Sequence, residues 1–194
     1  MEKKASTKFI RQFFIGSGVL LLLCILAVVV FDPFFQYHKP LKGLKAVLTD
    51  KEYQCVGSLK TFDYDSVIAG SSVSENYYND WFNQAFGCRT IKAIRSYGAT
   101  ADLCYLLDIA FSRQDLKYVF YNLDSAALVA EPETTYELTG CPMYLYDDNY
   151  FNDIEYWLNK GVLMEKIPYL IANSTIGDYD ANDSYKCAHW KQFN

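Results

Sequence analysis

The chain has 194 residues, a formal net charge of −5, 51% hydrophobic residues and 17% aromatic ones. That length suits one domain of ordinary size with an appendage, and the apolar content excludes a disordered chain. The 18 Lys and Arg gather on no predicted face, which excludes the phosphate-neutralising surface that nucleic acid requires.

The appendage comes first. From Phe13 to Phe31, "FFIGSGVLLLLCILAVVVF", no side chain is charged. Roughly 20 apolar residues at 1.5 Å rise match a hydrocarbon core of about 30 Å, so the run predicts a transmembrane helix. Lys3, Lys4, Lys8 and Arg11 precede it against the single acid Glu2. The positive-inside tendency then assigns residues 1–12 to a cytoplasmic tail and everything beyond Phe31 to the outside. A cleaved signal peptide is the rival reading, but the run is long for one and "AVVVFDPFF" has no small-x-small cleavage site. A buried helix of a soluble protein is the other, and the flanking basic residues argue against it.

Six cysteines are present. Cys24 lies in the span, and Cys55, Cys88, Cys104, Cys141 and Cys187 form no CxxC pair, so their spacing predicts neither a zinc site nor a dense disulfide framework. Buried free thiols are the expected state for most of them.

Pro33 and Pro40 forbid continuation of the helix, and Phe34, Phe35 and Tyr37 suit a membrane interface. His38 has no second His nearby and reads as an interfacial or packing residue. Residues 32–61 read as a juxtamembrane connector with one short helix or turn.

Regular alternation of elements then begins. "DSVIAG" predicts a buried strand. Val73, Tyr77, Trp81 and Ala85 fall on one i, i+4 row, with Tyr78, Phe82 and Phe86 beside it, so an amphipathic helix follows and ends at Gly87. "CRTIKAIRS" predicts a second strand. Leu103, Leu106, Leu107, Ala110 and Phe111 mark a second helix, with Thr100 as its expected N-cap and Asp102 in its positive first turn. "LKYVFYNLD" predicts a third strand, closed by Asp124. Strand, helix, strand, helix, strand describes two right-handed βαβ units and hence a parallel sheet covered by helices. Residues 149–173 read as helical with interruptions near Gly161 and Pro168, and the tail beyond them reads as loop.

In open α/β sheets, sites form at the carboxyl ends of the strands. Three such ends are predicted here: Gly70 to Ser74, Ser96 to Thr100, and Asn122 to Ser125. A serine at the first end points its hydroxyl out of the sheet top, beside free backbone N–H groups able to stabilise an oxyanion. The same serines equally read as the polar start of a helix, with Ser74 as a cap.

The turn "VIAGSSVSEN" resembles the first block of the SGNH (GDSL-like) hydrolase superfamily, whose Gly-Asp-Ser turn carries the nucleophile in third place. Ser72 occupies that place, and Ser71 replaces the Asp, as in the Gly-Thr-Ser or Gly-Ser-Ser turns of membrane-anchored relatives. From "DPFFQYHKPL" to "YLYDDNYFNDIEYWLNKGVL" the chain is similar to membrane-anchored proteins of Gram-positive bacteria. The resemblance implies a partial flavodoxin-like sheet, parallel and in three layers, over residues 62–194, preceded by the transmembrane helix.

The resemblance also implies roles for particular residues. Ser72 would be the nucleophile, and the amides of Ser72 and Gly98, the latter in "SYGATAD", would line an oxyanion hole. Asn122 and Asp124 in "FYNLDSAAL" would give polar support, although the family's Gly-x-Asn-Asp spacing is not kept; a helix-capping Asp is the other reading of Asp124. The family's Asp-x-x-His block has no counterpart: the two histidines are His38, beside the membrane, and His189, which has no acid three or four positions before it. A serine hydroxyl without an imidazole lacks an acceptor for its proton. Three strands where such sheets hold about five also leave "KYVFYNL" as an apolar edge. The expectation is thus the N-terminal half of a longer protein, inefficient as a hydrolase by itself.

Asp147, Asp148 and Asp153 lack the Ca²⁺ loop pattern and read as acids complementing a helix start. No cofactor or metal is expected. The functional expectation is a membrane-anchored acyl-ester hydrolase or acyltransferase acting on cell-envelope polysaccharide with an acyl donor. The alternative is a non-catalytic surface binding or assembly protein on the same fold.

Overall fold

The structure is a computed structural model that describes residues 2–44, 46, 50–96, 98–125 and 141–174, with side chains from residue 7 onward. His189, Cys187 and the loop expected after Ser174 lie outside the described residues. α1 (Glu2–Phe31) is one unbroken helix, and its stretch Thr7–Phe31 is long and apolar enough to cross a membrane. Residues 7–23 are exposed along their whole length.

α1 stops where Asp32 takes φ 38° and Phe35 takes φ 59°. Left-handed backbone costs an L-residue about 1 kcal/mol, so the turn must be held by its surroundings. The Asp32 carboxylate does this, accepting the backbone N–H groups of Gln36 (3.0 Å), Tyr37 (2.7 Å) and His38 (3.1 Å) and the Tyr156 hydroxyl (2.8 Å). Phe34 and Phe35 of the same turn are buried, and the Phe34 ring stacks on Tyr156 at 5.2 Å.

The connector supplies a core helix. α2 (Lys51–Thr61) buries Gln54, Cys55, Val56, Gly57, Ser58 and Leu59. A Cβ at Gly57 would fall 2.0 Å from the Phe34 carbonyl oxygen, so a bare residue is what lets α2 lie against the turn after α1. On its other side α2 packs on the sheet, where Cys55 Sγ lies 3.3 Å from the Lys92 carbonyl and accepts the Ile94 N–H.

β1 (Ser66–Gly70), β2 (Thr90–Ile94) and β3 (Tyr118–Tyr121) form a parallel sheet in the order β2-β1-β3. Ser66 pairs with Thr90 and Tyr118, and Ala69 with Ala93 and Tyr121. Period-two alternation turns Val67, Ala69, Ile91 and Ala93 toward α2 and α4 (Thr100–Arg113), while Ile68, Thr90 and Phe120 face α3 (Asn79–Phe86). The result is three layers. The 2-1-3 order of parallel strands is that of the opening of a doubly wound sheet.

β3 is an edge strand among the described residues, and its Tyr118 is 43% exposed. Its aromatics are half-covered from one side by Phe82 and Phe86 of α3, with Phe82–Phe120 and Phe86–Phe120 centroids 4.8 Å apart.

Two details differ from the periodicity. The helix expected from Val73 is split into a 3-10 turn (Ser74–Asn76), two extended tyrosines and α3. Asn79 and Asn83 account for the break, because Asn79 Nδ2 donates to the Thr90 carbonyl (2.6 Å) and Asn83 Oδ1 accepts the Thr90 N–H (2.8 Å). α3 does end at Gly87, in the left-handed region at φ 62°. The second correction is the cap of α4, which is Ala99 rather than Thr100. Asp102 reaches back to accept the Ala99 N–H at 2.9 Å, filling the capping role from inside the first turn.

The C-terminal segment packs against the end of α1. It comprises 3-10 turns at Met143–Leu145 and Tyr150–Asn152, α5 (Ile154–Trp157), a π-turn (Val162–Lys166) and α6 (Ile167–Ser174). Pro168 has no N–H to give the preceding turn, and the widened π-turn ends just before it.

Candidate active site

The three strand ends meet at Gly70. Its carbonyl accepts the Arg95 N–H (3.2 Å), and the neighbouring Ala69 carbonyl accepts the Asn122 N–H (2.8 Å). A Cβ on Gly70 would lie 2.1 Å from Ser74 Oγ and 2.9 Å from the Asn122 Cβ, so this strand end admits only glycine without rearrangement. The chain then turns sharply, with the Ser74 N–H donating to the Ser71 carbonyl at 3.0 Å.

Ser71 and Ser72 diverge. Ser71 is buried, its hydroxyl donates to the Asp124 carboxylate, and its oxygen accepts the Val73 N–H at 3.3 Å. Ser72 is exposed, and among the described residues no side chain hydrogen-bonds to its hydroxyl. Asn122 and Asp124 are joined by a 3.0 Å bond from Asn122 Nδ2, and the Tyr77 hydroxyl donates to Asn122 Oδ1 at 3.1 Å. Tyr77, Asn122, Asp124 and Ser71 thereby make one polar chain that fastens the loop after β1 to the loop after β3.

The second loop is held differently. Gly98 is buried and its amide donates to the Arg95 carbonyl at 3.1 Å, inside the turn that leads to α4. Behind it the Arg95 guanidinium lies 2.9 Å from the Asp102 carboxylate, both side chains essentially without solvent exposure. Arg95 also sits over the Tyr146 ring at 6.0 Å and reaches Met143 Sδ at 3.8 Å, which ties the loop to the C-terminal segment.

The structure therefore gathers Ser72, Asn122 and Asp124 at adjoining strand ends and gives Gly98 a structural hydrogen bond. His38 is elsewhere: its ring nitrogens lie 3.0 Å from the Val29 carbonyl and 2.6 Å from the Lys39 carbonyl, at the end of α1. The acids at 147–153 are dispersed onto separate partners, Asn152, Arg113 and Tyr37, and among the described residues no cluster fit for a metal ion occurs. Cys55 is no rival nucleophile, since burial pushes its thiol up to about 12.

Sequence reasoning missed Ser71, Tyr77 and the Arg95–Asp102 pair. An Arg at the exit of an apolar strand and an Asp in the next helix's first turn was the available signal for the pair. Nothing local announces that Ser71 faces Asp124, which is 53 residues away.

Among known proteins no family model matches the chain, and neither curated proteins nor solved structures yield a match.

Proposed function

We propose that the chain is a single-pass membrane protein, N-terminus cytoplasmic, carrying the nucleophile portion of an SGNH-like acyl-transfer site outside the membrane. The observation that carries this reading is the exposed Ser72 at the end of the central strand, with its loop pinned by Ser71 to Asp124. The chemistry would be hydrolysis or transfer of acyl esters on cell-envelope polysaccharide. Ser72 Oγ bonds to the acyl carbon, the ester C–O bond breaks and the alcohol leaves with a proton, while the serine proton passes to a base beyond the described residues. Water or an acceptor hydroxyl then takes the acyl group. The Ser72 amide is the oxyanion donor this reading retains as folded; Gly98 joins it once its bond to Arg95 opens. Asp124 and Asn122 hold the loop.

A second reading, a non-catalytic surface binding or assembly protein, is favoured by one observation: among the described residues Ser72 has no basic partner. Hydrolysis of p-nitrophenyl acetate by the full chain in detergent, with imidazole supplied as an added base and imidazole without protein as the blank, separates the two. The acyl-transfer reading expects an imidazole-dependent rate above that of imidazole without protein, and expects Ser72→Ala to remove this excess. Equal rates for the two proteins favour the binding reading.

A further inference from the structure

We infer that the C-terminal segment, residues 150–172, is a second membrane-contacting surface that lies at the headgroup level beside α1. The inference rests on the reading of α1 as a membrane span.

The span has no length to spare. Between Arg11 and Asp32 the charge-free run from Phe13 to Phe31 measures about 28 Å at 1.5 Å per residue. The hydrocarbon core is about 30 Å thick. The last turns of α1 are thus at the hydrocarbon boundary, and whatever packs on them is at that depth too.

α5 and the π-turn pack on those turns. Val28 and Val162 belong to one core cluster, Tyr156 donates to Asp32, and the Trp157 indole N–H donates to the Tyr37 hydroxyl at 2.7 Å. This contact places the segment within a helix diameter of the membrane anchor. It also makes the joint rigid, since Tyr37 in turn donates to Asp153 at 2.7 Å.

The outward side chains of this segment are mostly apolar, with the charged Glu155, Lys160 and Glu165 exposed among them. Phe151 is 94% exposed and Met164 68%, and Ile154, Leu158, Tyr169 and Ile171 are exposed with them. From Gly161 to Ala172 the charged residues are Glu165 and Lys166, and Lys166 is already paired with Asp50. A helix with Ile167 and Leu170 buried beneath and Tyr169 and Ile171 uncovered above is apolar on both sides. In water such a face is a liability, whereas at the acyl–headgroup boundary it is the expected composition, with aromatics at the interface. The occupant that fits is the outer leaflet of the bilayer that α1 crosses.

Brominated-lipid quenching tests this on the full chain in vesicles of phosphatidylcholine and phosphatidylglycerol. Tryptophan is introduced as Phe151→Trp and Ile171→Trp, as Leu21→Trp in α1, and as Phe86→Trp on α3, which lies on the opposite face of the sheet from α2. The inference expects bromines near the headgroups to cause loss of the added emission at 151 and 171 while 86 keeps it. Loss at 21 from deep bromines with none at 151 and 171 overturns the inference and leaves the span standing. No loss at 21 overturns the span and this inference with it.

Discussion

The Ser71 hydroxyl donates to the Asp124 carboxylate and so joins the exits of β1 and β3. Ser71 acts as a strut behind the exposed Ser72. A bond to a charged group of this kind contributes about 1.5–3 kcal/mol. Ser71→Ala and Asp124→Ala are each expected to lower thermal stability by about that amount. The double variant should fall short of their sum, as a double-mutant cycle of thermal unfolding would show.

Arg95 and Asp102 carry a larger stake. Removing one partner of a buried pair leaves the other charge uncompensated, at a cost of about 3–5 kcal/mol. Asp102 also accepts the Ala99 N–H that starts α4, so its loss removes a cap as well. Denaturant unfolding of Asp102→Ala should show a destabilisation of that order. Arg95→Met with Asp102→Leu should recover most of it, because no charge is then left buried.

Gly57 brings α2 against the backbone of the turn after α1. Gly57→Ala forces a methyl group into the Phe34 and Phe35 backbone, an overpacking expected to cost at least about 2 kcal/mol. Limited proteolysis around residues 33–40 should become faster in this variant, since the turn can no longer seat on α2.

Asp32 gives a pH dependence with a definite sign. Burial outweighs its hydrogen bonds and raises its carboxyl above the ordinary 3.8. The folded state therefore holds the proton more tightly than the unfolded chain does. This contribution is fully present below 3.8 and is lost as pH rises through the folded-state value. Thermal unfolding in detergent should show wild-type stability falling with pH over that window, relative to Asp32→Asn. An identical pH profile for the two proteins would contradict the assignment.

Much of the sheet was legible because its signals are local. Val67, Ile68, Ile91 and Ile94 are β-branched runs closed by glycine or charge, and the structure has strands there. The apolar edge expected of "KYVFYNL" is the exposed edge of β3. The membrane-length helix was equally plain, being a matter of one composition run. What escaped depends on contacts far apart in the chain. The connector gives no strong period, yet Gln54 to Leu59 are buried because Gly57 lets them approach the Phe34 turn. The helix after Ser72 breaks for Asn79 and Asn83, whose partner Thr90 belongs to β2. At the candidate site the position of Ser72 was readable from the turn, while the strut through Ser71, Asp124, Asn122 and Tyr77 was not. Gly98 was expected to offer its amide to an oxyanion, and as folded that amide serves the Arg95 carbonyl.

On the proposed acyl-transfer reading, Ser72 is a nucleophile with no base beside it among the described residues. Fluorophosphonate treatment of the full chain in detergent, with increasing imidazole and with the adduct mapped by mass spectrometry, tests it most directly. Slow labelling without imidazole, acceleration by it, the adduct on the peptide containing Ser72, and its disappearance in Ser72→Ala are expected. No imidazole-dependent adduct, or one that persists in Ser72→Ala, would contradict it.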